Sequence, residues 1–68
     1  MAKGHIWDFN GKVKIRRSHI TSIEIVERLF HDKSSDYYIV VFVRGKRFTI
    51  EIAKTLKEAI KYINDNFK

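Results

Sequence analysis

The stretch that decides the fold is Tyr37-Tyr38-Ile39-Val40-Val41-Phe42-Val43, followed by Arg44-Gly45 and then Lys46-Arg47-Phe48-Thr49-Ile50-Glu51-Ile52. An unbroken run of β-branched and aromatic residues, a glycine-containing break and a second apolar run describe a β-hairpin. A two-residue turn at Arg44-Gly45 sets Val41 opposite Phe48, Ile39 opposite Ile50 and Tyr37 opposite Ile52, so six apolar side chains share one face. The other face pairs Phe42 with Arg47, Val40 with Thr49 and Tyr38 with Glu51. A slip of one residue would mix the two sets, and this segregation selects the register. The turn asks Arg44 for a positive φ, which few non-glycine residues adopt.

Downstream, Thr55-Leu56-Lys57-Glu58 has the form of a capping box. The Thr55 hydroxyl can accept the Glu58 N–H while the Glu58 carboxylate reaches back to the Thr55 N–H. Leu56, Ala59, Ile60, Ile63 and Phe67 follow at spacings of three and four, one apolar stripe on a helix, with Lys57, Lys61 and Lys68 toward solvent. That stripe needs an apolar surface to cover. The face carrying Tyr37, Ile39, Val41, Phe48, Ile50 and Ile52 is the one large enough, which predicts a sheet layered against a helix.

Upstream, Ile6-Trp7-Asp8-Phe9, Asn10-Gly11 and Lys12-Val13-Lys14-Ile15-Arg16 predict another hairpin, because Asn-Gly favours a type I′ turn. A two-residue turn sets Phe9 opposite Lys12, Asp8 opposite Val13, Trp7 opposite Lys14 and Ile6 opposite Ile15. One face holds Ile6, Asp8, Val13 and Ile15. The other holds His5, Trp7, Phe9, Lys12, Lys14 and Arg16. Residues 18–30 admit two readings. Ile23 and Ile25 alternate with Ser22 and Glu24 as in a strand entered through a bend near Ser18-His19-Ile20, and the β-branched content favours it. Ile20, Ile23, Val26 and Phe30 also lie near helical spacing, which would give the order ββαββα. His31 to Asp36 is a polar loop.

The expected fold class is therefore α+β: a small antiparallel β-sheet, two hairpins plus a middle strand, packed on one C-terminal helix. Residues 1–68 form a single domain. A chain of 68 residues buries only about 60% of the surface of its unfolded form, so the core is thin and self-association is a route to stability. Cysteine is absent, which excludes disulfides and thiolate metal sites and fits a reducing compartment. No apolar run approaches the length of a membrane span, and Met1-Ala2-Lys3-Gly4-His5 lacks the apolar stretch of a signal peptide. A cytoplasmic protein without a membrane partner is expected.

The formal net charge of +6 is unevenly spread. Residues 1–19 carry five Lys/Arg against one acid, residues 20–43 two against four, and residues 44–68 seven against three. Two basic stretches flanking an acidic middle attract nucleic acid or acidic partners, although net charge also serves solubility. Catalytic constellations are missing. His5, His19 and His31 have no metal-ligand spacing, no glycine-rich phosphate loop or nucleophile elbow is present, and Glu24 and Glu27 read as solvated charge. A non-enzymatic protein with no cofactor, metal or small-molecule substrate is expected.

The pattern that points to a function is aromatic residues interleaved with cations. Trp7 and Phe9 lie beside Lys12, Lys14 and Arg16, and the second hairpin adds Arg44, Lys46 and Arg47 at its tip. Bases stack on exposed rings while Lys and Arg take phosphates, and a two-stranded ribbon can also enter the major groove of a duplex. The sequence leaves open the alternative that Trp7 and Phe9 are core, with lysine stems lying over them. The order of strands followed by a helix, with basic hairpins, resembles the arm-binding and AP2-type DNA-binding domains, which read the major groove with a sheet. Only the element order and the basic hairpins carry the likeness, no motif does, and the extra hairpin departs from their three strands. The other function open to the sequence is protein–protein interaction, as a homodimer, adaptor or inhibitor, through strand edges and a face with Tyr38, Val40 and Phe42.

Overall fold

A computed structural model describes residues 4–67. Lys68, expected on the solvent side of the helix, and Met1-Ala2-Lys3 lie outside the described residues. The elements are β1 (His5–Trp7), β2 (Lys14–Arg16), a single 3₁₀ turn at Arg17–His19, β3 (Ser22–Leu29), β4 (Ser35–Val43), β5 (Lys46–Ala53) and α1 (Leu56–Phe67). They form an α+β fold as expected, but with two sheets. β1 and β2 make an antiparallel ribbon, and β3-β4-β5 make a separate antiparallel meander.

Residues 22–29 are a strand entered through a bend, and the helical alternative for this stretch does not occur. Pairing with β4 explains the outcome. Ile23 lies opposite Val41 and Ile25 opposite Ile39, while Glu24 and Val26 alternate to the other face opposite Val40 and Tyr38. A helix would have gathered Ile23 and Val26 on one side and left β4 with an unpaired edge.

The β4–β5 turn is the two-residue one. Arg44 adopts φ +53° and Gly45 φ +80°, both positive as a type I′ turn requires. Near the turn the expected register holds, with Phe42 opposite Arg47, Val41 opposite Phe48 and Val40 opposite Thr49. Beyond Thr49 it does not. A β-bulge gives Ile50 an extra position, so Ile39 faces Glu51 rather than Ile50, Tyr38 faces Ile52 rather than Glu51, and Tyr37 faces Ala53 rather than Ile52. The bulge keeps Ile50 in the core and turns Ala53, instead of the larger Ile52, toward the helix side.

There Ala53 joins the fully buried Ala59 of α1 in the core cluster. Small side chains at both positions leave room for helix and sheet to approach closely. The helix is rotated accordingly. Ala59, Tyr62, Ile63 and Phe67 meet the core, whereas Leu56 and Ile60, expected on the buried stripe, are about half exposed. The cap is also shifted: Thr55 Oγ1 accepts the Glu58 N–H at 3.1 Å, but Glu58 Oε2 accepts the N–H of Lys54, at 3.3 Å, not that of Thr55.

The ribbon completes the core. Ile6 and Ile15, directly paired, are buried with Ile39, Val41, Ile50, Ala53 and Ala59. One face of the three-stranded sheet is thus covered by α1 together with the β1–β2 ribbon. Val40 is fully buried yet takes no part in that cluster, and neither do Tyr38 and Phe42. These three lie on the opposite face of the sheet.

Candidate nucleic-acid interface

The strand alternation that buries Ile6 and Ile15 turns His5, Trp7, Lys14 and Arg16 outward. Trp7 is 53% exposed and Phe9 52%, so the alternative that these rings are core is overturned. Trp7 lies directly opposite Lys14, and the Lys14 Nζ sits 6.0 Å from the indole centroid. This is the outer reach of a cation–π contact and leaves much of the ring open. His5 pairs with Arg16 one step along. The ribbon therefore presents one accessible indole flanked by cations.

The loop joining the strands differs from expectation. The pairing of Ile6 with Ile15 and Trp7 with Lys14 is retained, but Asn10-Gly11 is not a two-residue turn. Gly11 has φ +72°, Asn10 is not in the left-handed region, and the Gly11 N–H donates to the Asp8 carbonyl oxygen at 3.0 Å. Asp8-Phe9-Asn10-Gly11 is thus a tight turn of its own, set inside a longer loop. The Asp8 carboxylate holds that loop: its Oδ1 accepts the N–H of Lys12 at 2.8 Å and of Val13 at 3.1 Å. Asp at the first position of a turn and Gly at the fourth carry the signal in the sequence. As a result Phe9 does not face Lys12, and Val13, expected on one face with Ile6, Asp8 and Ile15, is exposed while Ile6 and Ile15 are buried.

Phe9 leaves the ribbon and reaches the meander, where its N–H donates to the Thr49 carbonyl oxygen at 2.8 Å. That bond brings the two basic stretches together. Thr49 lies two positions from Arg47 and three from Lys46 along β5, so the loop that carries Lys12 docks roughly 7–10 Å of strand away from them. Arg44, at the turn, lies farther along the hairpin and is exposed. Lys12, Lys14, Arg16, Arg44, Lys46 and Arg47 are all exposed.

The alternative contact face is placed differently. Tyr38 and Phe42 are half-buried beside the sequestered Val40. Arg28 of β3 spans this face, with its Nη1 donating to the Tyr38 hydroxyl at 3.4 Å and its guanidinium carbon 5.6 Å from the Phe30 ring centre and 6.0 Å from that of Tyr38. A further cation–ring pair, Arg17 over Phe67 at 5.7 Å, ties the 3₁₀ turn to the end of α1. Sequence spacing could not show it, because the two residues lie fifty positions apart in the chain.

The groups with shifted protonation lie away from the ribbon. Burial raises the Tyr37 phenol above its ordinary value, and Glu27 adds to the effect by its charge and by accepting the hydroxyl at 3.3 Å. Burial also raises Tyr62, with the charge of Glu51 adding to the shift and that of Arg17 opposing it. No protein-family model, curated protein or solved structure matches this chain.

Proposed function

We propose that this chain is a small basic nucleic-acid-binding module that acts without catalysis or cofactor, in the cytoplasm. The observation that carries the reading is the open indole of Trp7, set among Lys14, Arg16 and His5 on the outer face of a ribbon whose inner face is core. About half of the Trp7 surface is left open to solvent, and a base stacked on such a ring contributes about 1–3 kcal/mol. Single-stranded nucleic acid suits this geometry best, because unpaired bases offer the ring a face. Lys12, Lys14 and Arg16 take the backbone near the stacked base, and Lys46 extends the track past the Phe9–Thr49 junction, whereas Arg47, opposite Phe42, adds its charge from the other face of the sheet. Arg44 at the tip adds a terminal contact.

The test is titration with single- and double-stranded oligonucleotides at roughly 50 mM salt, followed by Trp7 fluorescence. Expected are quenching on binding and a log–log salt slope of about −3 for some four or five neutralised phosphates on a single strand. Absence of binding to either form under these conditions sinks the proposal. No described helix is long and apolar enough to cross a membrane.

A further inference from the structure

We infer that β3 is a self-pairing edge, through which two copies of the chain join their three-stranded sheets into one of six strands. The inference rests on β3 alone and does not depend on nucleic-acid binding.

The two edges of the meander differ. The β5 edge is occupied at Thr49, whose carbonyl accepts from Phe9. β3 has β4 as its sole partner among the described residues. Its segment Ser22–Leu29 contains no proline or lysine, and the charges it does carry, Glu24, Glu27 and Arg28, are of both signs, so an antiparallel copy can pair them. Leu29, 70% exposed, stands at its end.

The hydrogen-bond pattern fixes which groups are on offer. The Phe42 carbonyl oxygen accepts the Thr21 N–H at 2.9 Å, so Phe42 directs its main-chain groups toward β3. Its register partner is Ser22. In an antiparallel ladder hydrogen-bonded and non-bonded pairs alternate, so Ser22, Glu24, Val26 and Arg28 bond β4, and Ile23, Ile25, Glu27 and Leu29 turn their N–H and C=O groups outward.

An antiparallel pairing of β3 with itself must join outward groups to outward groups, which restricts the register to steps of two residues. With Val26 on the two-fold axis, Ile23 meets Leu29 of the second copy and Ile25 meets Glu27. Glu24 then lies opposite Arg28 of the second copy, on the same face, twice per dimer. Moving the axis to Glu27 sets that carboxylate against its own copy. Moving it to Ile25 places Glu24 opposite Val26 and Ile23 opposite Glu27. Charge complementarity therefore selects the Val26 register. Arg28 is already held on that face by Tyr38 and Phe30, and Glu24 makes no side-chain hydrogen bond or ion pair with any described residue. The two-fold axis stands perpendicular to the sheet, so the Tyr38–Phe42 face continues across both copies, while on the other face Leu29 of each copy lies beside Ile23 of its partner.

Sedimentation velocity over a wide concentration range tests this. The unmodified chain is expected to show a reversible monomer–dimer equilibrium. Glu24→Arg alone and Arg28→Glu alone each weaken it by about tenfold or more, because two attractive pairs become repulsive, and the double exchange Glu24→Arg/Arg28→Glu restores it. Arg28→Glu also loses contacts within its own chain, so a second measurement is independent of it. A non-bonded pair on the axis has Cα atoms about 4.5 Å apart, within disulfide range. Mild oxidation should therefore link Val26→Cys chains into dimers and leave Lys57→Cys chains, substituted on the exposed helix surface, unlinked. A chain monomeric at every concentration, association indifferent to both single reversals, or no rescue by the double exchange would each overturn the inference.

Discussion

The Phe9 N–H donates to the Thr49 carbonyl oxygen at 2.8 Å, and it is the one main-chain hydrogen bond found between the first hairpin loop and β5 among the described residues. The bond adds a main-chain link between two sheets that also meet through the buried Ile6 and Ile15, so it helps to set where the aromatic ribbon sits relative to the basic β5 strand. The Phe9 amide should exchange with solvent far more slowly than that of Asn10, its neighbour at the turn. Equal, rapid exchange of the two would mean that the ribbon is not docked in solution.

Within the loop, Asp8 and Gly11 carry the structure and Asn10 does not. Asp8→Ala removes the acceptor for two exposed N–H groups and is expected to cost about 1 kcal/mol in chemical denaturation. Gly11→Ala should cost a similar amount, about 1 kcal/mol, since φ +72° is unfavourable for a side chain. Asn10→Ala should stay within roughly 0.5 kcal/mol, as expected of an exposed residue with ordinary backbone. A type I′ turn would reverse part of this order by making Asn10 as sensitive as Gly11.

Ala59 is fully buried in the core cluster that also holds Ala53. Ala59→Leu inserts three carbons between helix and sheet and should destabilise by about 1–3 kcal/mol or more. Leu56→Lys and Ile60→Lys, on residues that the helical stripe alone would have buried, should be tolerated. Thermal unfolding of the three variants separates the observed helix rotation from the one its apolar stripe suggests.

Truncating the ring that the proposed function needs should separate binding from stability. Trp7→Ala is expected to leave the fold within roughly 0.5 kcal/mol of the parent, as for other exposed positions. It should weaken binding of a single-stranded oligonucleotide by about tenfold, equivalent to one lost stack of 1–3 kcal/mol. Lys14→Ala should weaken binding of all sequences alike and reduce the salt slope by about 0.7.

Three of the four groups with shifted protonation, Asp32, Tyr37 and Tyr62, give a pH dependence at opposite ends of the scale, and Lys61, raised by its bond to Asp65, follows the two phenols. Asp32 titrates below its ordinary 3.8, chiefly because its carboxylate accepts the Ser34 hydroxyl at 2.6 Å and the Ser34 N–H at 3.0 Å. Its contribution to stability is present above 3.8 and is lost as the pH falls through the lower folded value. Tyr37 and Tyr62 titrate above their ordinary 10.0. Their contributions are present below pH 10 and are lost as the pH rises through the higher folded values. Carboxyl chemical shifts for Asp32, and ultraviolet titration of the phenols, check both directions.

Local chemistry determined much of this protein without help. β-branched runs with a glycine at the break specified β4 and β5, Thr55 and Glu58 opened the helix, and the alternation of Ile6 and Ile15 with Trp7 and Lys14 specified the ribbon register. Each depends on neighbours within a few residues, where spacing and turn chemistry are written directly in the chain. Tertiary structure decided the rest. The bulge at Ile50 places Ala53 in the core cluster with Ala59 of the helix, and no strand pattern contains the helix. Residues 22–29 became a strand because β4 offered an unpaired edge, which helical spacing within the segment could not register. Phe9 joined Thr49, and Arg17 joined Phe67, across distances that only packing closes. Trp7 stayed in water because Ile6 and Ile15 filled the space beneath the ribbon, a competition for a limited core that no single position in the sequence reveals.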